Sequence, residues 1–574
     1  MSRQYEFGPF RLDAAGRLLF RGGERLTLTP KAIELLVALV EAHGQPVSKE
    51  ELLQKVWPDT VVEEGSLTSH VSLLRKALGK DTDGRQFIET LSKRGYRFVG
   101  EMKQAEDERR HAADRVMLVV LPFENLSGGE KHDYFSEGLT EEMISQLARL
   151  NPERLGVIAR TSAMQYRSTT KSIQQIGREL GVSHVLEGSV RRVGKRVRIT
   201  AQLIRVSDET HLWAETYERN LGDILKIQSE VSQAVAREVR VKLEAREQRR
   251  LSAVHEVFPA AYEAYLQGRH LWNKRTEDGM RKSILHYQEA IRQHADYAMA
   301  YVGLADSYVM LACRGMAPAK ETFLKAKVAA RKALELDSDL AEAHGSLAHV
   351  RLHDWDWEKL EEDFQRSIER NPAEAIVYYW FGEFLMSRGR PEEAIAITRR
   401  AHEIDPLSPV IGASLGMILY LARRYDEATA TLQRTREIHP DHFLPYLRLG
   451  YVRIQQRRFE EAIRAMETAV GLADRSTETL AALAVAYASS GKITDAEPIL
   501  AELERPAGRR YVLPYNIAKI YSAARKPEEA LDWLETAYNE GNADLIELNS
   551  EPIFDCLRTD ARFADIMRRV GWNA

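Results

Sequence analysis

The chain has 574 residues, enough for roughly four domains at about 150 residues each. Its composition is 44% hydrophobic and 29% charged, which excludes long disordered or collagen-like stretches. Lys and Arg total 81 against 85 Asp and Glu, a net charge of -4, so any surface for a polyanion is local rather than chain-wide. Two cysteines, Cys313 and Cys556, make neither a zinc-finger set nor a disulfide framework. The apolar stretches at 116–123 and 411–422 are too short for a membrane span of about 20 residues. The amino terminus has no apolar region of a signal peptide. A soluble, cytoplasmic, multidomain protein is expected, with no membrane association.

In the first hundred residues, alternation predicts short strands at 5–13, 17–21 and 25–28, with turns at 14–16 and 22–23. Thr29 and Pro30 supply an N-cap and a first turn for a helix with Ile33, Leu36, Val37 and Val40 on one face. Ser48 and Glu51 form a capping box for a helix at 50–57. A third helix is predicted over 64–78, stopped by Gly79, and 86–100 reads as a two-stranded hairpin turning beside 92–95. On the third helix Leu67, Val71, Leu74 and Leu78 share one face and must meet the core. The opposite face carries Gly65, Ser69, Ser72 and Lys76, flanked by Ser66, Leu73 and Arg75. Short polar side chains let a backbone approach base edges, and Arg or Lys neutralises phosphates. Residues 65–100 hold seven Lys or Arg against three Asp or Glu.

The segments Ser72-Leu-Leu-Arg-Lys-Ala-Leu-Gly79 and Ile88-Glu-Thr-Leu-Ser-Lys-Arg-Gly-Tyr-Arg-Phe98 resemble the OmpR/PhoB-type winged helix, over residues 5–100. The resemblance implies double-stranded DNA as a partner, with the third helix in the major groove and the hairpin at the adjacent minor groove. It nominates Ser66, Ser69, Ser72, Arg75, Lys76, Lys93, Arg94 and Arg97 as DNA contacts. The response-regulator branch often has Arg where this chain has Ser72, Leu73 and Ser92, so the target sequence does not carry over. His70 reads as structural, and Trp57 matches a position that packs near the phosphate backbone. With the module starting at residue 5 and no receiver before it, the chain looks most like the CadC-type branch. That branch usually continues into a membrane helix; here a charged linker is expected at 101–115.

Residues 116–245 read as an α/β block. Strands are predicted at 116–123, 157–159, 185–191, 196–205 and 211–216, and helices at 134–150, 172–180 and 224–243. The stretches 121–127, 135–140, 187–190 and 212–214 resemble the TolB amino-terminal domain. Asn125 to Lys131 superficially suggests a phosphate loop but lacks the required Gly-Lys-Ser/Thr spacing, so a turn is expected.

From 260 onward a 34-residue period starts at Ala341, Ala375, Pro409, Phe443, Thr477 and Tyr511. The eighth position holds Ala348, Gly382, Gly416, Gly450, Ala484 and Ala518, small enough for two helices to cross closely. Phe364, Leu432, Met466, Leu500 and Leu534 at the twenty-fourth position fill the space between helices. This pattern resembles the tetratricopeptide repeat. About eight repeats are expected over 260–544, two of them irregular, with 545–574 as a capping segment. In that family the inner helices line a groove, which nominates Tyr379, Glu383, Met386, Met417, Tyr420, Tyr451 and Ile454 as contacts for a protein or peptide partner.

The expected fold class is therefore multidomain α+β: an N-terminal winged helix-turn-helix, a central α/β domain and a C-terminal all-α tetratricopeptide solenoid. His439 and His442 flank Pro440 in a turn and do not read as metal ligands. No catalytic set, cofactor motif or metal motif stands out, so no enzyme is expected. The reading is a sequence-specific transcriptional regulator receiving its signal through the α/β and repeat domains, with RNA polymerase a further partner. The alternative is a scaffold whose winged module binds protein.

Overall fold

Apolar residues alternate through positions 5–12, but Gly8, at φ +51°, and Pro9 turn the chain back on itself. The result is two paired strands, β1 (Gln4–Phe7) and β2 (Phe10–Asp13), where the sequence suggested one. The computed structural model describes residues 4–13, 18–21, 24–26, 28–40, 42, 46–57, 64–79, 86–91, 95–100, 102–103, 115–127, 133–243, 245–252, 258–505 and 511–572. They fall into two units, Met1–Arg115 and Val116–Ala574. The turns expected at 14–16 and 22–23, most of the linker expected at 101–115 and part of the loop at 125–131 lie outside the described residues.

In the first unit β3 (Leu18–Arg21) and β4 (Glu24–Leu26) extend the antiparallel sheet. Helices α1 (Pro30–Val40), α2 (Lys49–Val56) and α3 (Glu64–Leu78) follow, and Ser48 and Glu51 make the capping box of α2. The hairpin is β5 (Ile88–Leu91) with β6 (Gly95–Phe98), and β7 (Met102–Lys103) returns to pair with β1. Phe7, Phe10, Phe87 and Phe98 are buried together, with the Phe7 and Phe98 rings 4.9 Å apart, and lock the hairpin to the sheet. Val47 and Tyr96 exchange backbone hydrogen bonds of 2.9 and 3.0 Å, tying the hairpin to the start of α2.

In the second unit a mixed sheet carries the α/β block. Its elements are β8 (Val116–Val120), β9 (Glu124–Asn125), α4 (Asp133–Ala148), β10 (Leu155–Val157), α5 (Arg160–Met164), α6 (Ile173–Leu180), β11 (His184–Val193), β12 (Arg196–Arg205), β13 (His211–Asn220) and α7 (Ile224–Glu238). The strand order is β10-β8-β11-β12-β13; β8 is parallel to both neighbours, and β11, β12 and β13 form an antiparallel meander. Helix α5 escaped the sequence reading, being only five residues long. The helix expected to reach 243 stops at Glu238 and gives way to a separate one, Ala245–Ser252.

Eight antiparallel helix pairs follow among the described residues, from Pro259–Asn273 with Glu277–Gln293 to Pro514–Ala523 with Pro527–Glu540. Positions eight and twenty-four of a repeat touch. A Cβ on Gly416 would sit 2.4 Å from Leu432, and one on Gly450 would sit 2.6 Å from Met466. The tail then splits. Helix Ala561–Val570 buries Phe563 and Ile566 beside Leu531 and Leu534 of the last repeat. Phe554 and Leu557 also pack on the last repeat, with the Phe554 ring 5.4 Å from Tyr515, whereas residues 543–547 lie against earlier inner helices and Trp572 reaches Trp357, ring to ring at 4.8 Å. No described helix is long and apolar enough to cross a membrane.

Gly95 sits at φ +110°, and a Cβ there would fall 2.0 Å from the Val47 carbonyl oxygen. Gly95→Ala therefore combines backbone strain with a clash that no side chain can relieve, a cost of about 2–4 kcal/mol. Hydrogen exchange at the Val47 and Tyr96 amides should speed up accordingly, while the repeats keep their protection.

Candidate functional site

Helix α3 presents two unlike faces. Leu67, Val71, Leu74 and Leu78 are buried, whereas Gly65, Thr68, Ser69, Ser72, Leu73 and Lys76 are exposed. Ser69 Oγ donates to the Gly65 carbonyl at 2.9 Å, which leaves its lone pairs outward. Ser66 is half-buried, and its carbonyl lies 2.8 Å from His70 Nδ1, with the His70 ring edge-on to Trp57. His70 is thus held inside the module.

Two basic residues are engaged by the protein itself. Arg75 donates from Nε and Nη2 to the Ile88 carbonyl at 3.0 and 2.9 Å, and from Nη2 to Thr90 Oγ1 at 2.7 Å. It joins the back of α3 to β5 and so sets the angle between helix and hairpin. Arg97 pairs with its cross-strand partner Glu89 at 2.5 Å while staying 38% exposed, close enough to solvent for the pair to open. Lys93 and Arg94 lie outside the described residues. The arginine contacts from α3 and β6 escaped the sequence reading because Ile88, Thr90 and Glu89 become neighbours only when the hairpin closes.

The seven groove residues come together on the inner side of the solenoid, but they do not form an open face. Met386, Met417, Tyr420, Tyr451 and Ile454 are buried, and Tyr379 and Glu383 are half-buried and hydrogen-bonded to each other. The cause is the chain's own segment 543–557. Tyr420 donates to Glu551 at 2.5 Å, Arg423 pairs with Asp555 at 2.7 Å, and Asn549 donates to the Ser387 carbonyl at 3.3 Å. Lys519 and Glu551, both almost without solvent access, pair at 2.8 Å. Burial opposes the Lys519 charge, but Glu551 and Glu547 outweigh it and hold the ammonium well above its ordinary range. In this arrangement the tail occupies the surface expected to take a partner.

A third feature was not read from the sequence. The acids Glu137, Glu141 and Glu142 of α4 face the repeats, and His270, Arg269 and Tyr262 of the first inner helix answer them. Arg160 adds a second cation 3.1 Å from Glu141, and Arg149 pairs with Glu342. Farther along, Ser162 donates from both N and Oγ to Asp405, at 2.8 and 2.6 Å. Between these anchors α4, α5 and the inner helices frame a cavity of about 530 Å³, lined in part by Tyr265, Trp272, Arg275, Glu374 and Trp380. Arg275 lies over the Trp272 ring at 3.7 Å; burial, with Arg314 and Arg269 beside it, pushes its pKa down to about 9. Burial, aided by Glu342, pushes Glu374 up to about 8. Burial pushes Glu142 up to about 7 against the hydrogen bonds of Tyr262 and Gln228. Burial opposes ionisation of Glu141 too, but Arg269 and Arg160 hold it below the usual carboxylate range.

Residues 23–98 match the family model of the transcriptional regulatory protein C-terminal domain, and residues 114–234 that of the HilA/YgeH-like transcriptional regulator second domain. Two tetratricopeptide repeat models match residues 385–449 and 447–510. The chain has family-level homology to OmpR/PhoB-type regulators and to tetratricopeptide-repeat proteins. It is 26% identical to the transcriptional regulator HilA of Salmonella typhimurium over 419 residues, 72% of each chain. It is 44% identical to putative adenylate cyclase 3 of Rhizobium meliloti over 152 residues, so it spans about a quarter of that relative, 26%. The DNA-binding domain of Escherichia coli CadC is 31% identical, covering 18% of this chain and 97% of that one, at a TM-score of 0.17. The central block thus matches the second domain of HilA-like regulators, and nothing supports the TolB likeness. The regulators and repeat scaffolds to which the homology extends are families not known as enzymes.

Lys519→Met should leave Glu551 buried without its cation, a loss of about 3–5 kcal/mol. Limited proteolysis should then release the tail first, and adding Glu551→Leu should restore protection.

Glu374 and Glu383 (each about 8) and Glu142 (about 7) keep protons in the folded chain that the unfolded chain has already lost. Stability of the second unit should therefore fall as pH rises from about 4.5 to about 7 for Glu142 and to about 8 for Glu374 and Glu383, by up to about 1.4 kcal/mol per pH unit for each such group, and level off above that. Thermal melts across that range check this, and Glu374→Gln should flatten the decline.

Proposed function

We propose that this chain is a sequence-specific, DNA-binding transcriptional regulator that works in the cytoplasm and acts on RNA polymerase. The carrying observation is α3: one face wholly buried, the other offering Ser69, Ser72 and Lys76 to solvent, within a segment homologous to OmpR/PhoB-type regulators. In this reading Ser66, Ser69 and Ser72 bring the backbone close to base edges in the major groove. Lys76, Lys93, Arg94 and Arg97 neutralise phosphates, Arg97 exchanging Glu89 for the backbone. Arg75 is assigned a positioning role, since its fork is spent on β5.

The proposed functional division is 1–100 for DNA, 101–115 as linker, 116–245 with 260–544 for the signal, and 545–574 as a closing segment. Assigning signal input to the second unit is supported by its cavity, which lies between the α/β block and the inner helices and sets charged side chains among apolar ones. Tetratricopeptide domains generally bind peptides or proteins. On the inner face at Tyr379, Met417 and Tyr451, a protein partner has to displace residues 543–557.

The test is anisotropy titration of the full chain on selected duplexes at several salt concentrations. Lys76→Ala should lower the slope of log affinity against log salt by about one. Ser72→Ala should leave that slope alone and change discrimination at one base step by about 1–3 kcal/mol. Absence of duplex binding even at low salt would hand the module to the scaffold reading.

A further inference from the structure

Two imidazoles and a thiol converge where the second and third repeats meet the tail. His349 and His353 stand one turn apart on helix Ala341–His353, so both rings leave the same side of it. Cys313 ends the preceding inner helix, Ala298–Cys313. One donor atom from each residue lies within 4.8 Å of the other two. Both histidines are buried and Cys313 is half-buried.

The second contacts of these rings fix how they can act. His353 Nδ1 lies 3.3 Å from the Ala543 carbonyl oxygen. A carbonyl only accepts, so Nδ1 carries the proton and Nε2 keeps a bare lone pair inside the protein. That arrangement, a ring N–H to a backbone carbonyl with the other nitrogen free, is the one that orients histidines toward metals. His349 is stacked on Trp380 at 3.8 Å and 11°, which fixes its plane, and its ring nitrogens make no hydrogen bond to a described residue. Charge near the cluster is mixed: Arg275 acts on His349, while Asp544 and Glu383 act on Cys313.

We propose that Cys313, His349 and His353 form a binding site for one closed-shell metal ion, Zn(II) or Cu(I), held by a thiolate and two imidazole nitrogens. The donor set suits these ions: thiolate selects Cu(I) and zinc, and neutral imidazole serves both. With ordinary zinc bond lengths the donors stand about 3.3–3.8 Å apart, so they need to close by about 1 Å, within reach of side-chain rotation. Binding releases the Cys313 proton to solvent and forms the metal–sulfur bond, with no change of oxidation state. Zn(II) takes water as a fourth ligand; Cu(I) is complete with three. Because Ala543 opens the tail segment and orients His353, an occupied site also fastens the tail to the solenoid.

The test uses the full chain, reduced and stripped of metal by chelator. It is titrated with Zn(II) against a chromophoric competitor and, in a second anaerobic arm, with Cu(I) under reductant. One equivalent should bind tightly in at least one arm and raise the melting temperature, and the arm identifies the ion. Cys313→Ser and His353→Gln should each weaken binding by about 100-fold or more, while Cys556→Ser should leave it unchanged. Stoichiometric binding in neither arm, or Cys313→Ser binding like the parent, overturns the proposal. If Cys313→Ser does not fold, charge-transfer absorption decides the matter in Cys556→Ser, whose one remaining thiol is Cys313. A thiolate-to-metal charge-transfer band is expected there, with Co(II) where the zinc arm binds and with Cu(I) where the copper arm does, and its absence overturns the proposal equally.

Discussion

Burying a carboxylate without a counter-charge costs several kcal/mol, and α4 buries three on one side. Glu137, Glu141 and Glu142 are tolerable there because the first inner helix meets them with His270, Arg269 and Tyr262, and α5 adds Arg160. The α/β block and the repeats are therefore not interchangeable modules on a string. Each supplies charges that are costly without the other, and Val116–Ala574 accordingly forms one unit.

The same logic recurs at the far side of the solenoid. Lys519 is buried among Tyr451, Tyr515 and Glu551, and the tail exists in its present course because Glu551 satisfies that ammonium. Arg423 with Asp555 and Trp357 with Val570 hold the remainder. A repeat array ordinarily leaves its inner face open, each repeat touching only its neighbours. Here long-range polar contacts draw the tail back across that face, and groups whose protons titrate near neutrality accumulate where it lies.

In the first unit the interaction that matters is smaller. Arg75 spends its guanidinium on Ile88 and Thr90, and the Val47–Tyr96 bridge holds the hairpin from the other side. The presented face of α3 then depends on a fixed angle between helix and hairpin. A basic residue on such a helix can serve recognition by aiming it, without touching the ligand.

What the sequence determined by itself is whatever repeats at short range. The capping box at Ser48, the apolar face of Leu67, Val71, Leu74 and Leu78, and the small residues at Gly416 and Gly450 each declare an element through neighbours a few positions away. Those signals sufficed for the winged module, the α/β block and the repeats, because helices and strands are decided by local period and by the packing it permits. Short breaks were harder: Gly8 and Pro9 divide a strand, and α5 is only five residues long. Only the tertiary structure decided which polar groups become partners. Glu141 finds Arg269 across 128 residues, Tyr420 finds Glu551 across 131, and Ser162 finds Asp405 across 243. No spacing rule encodes such pairs, since a charge in the sequence is silent about whether folding will leave it in water or bury it against an opposite one.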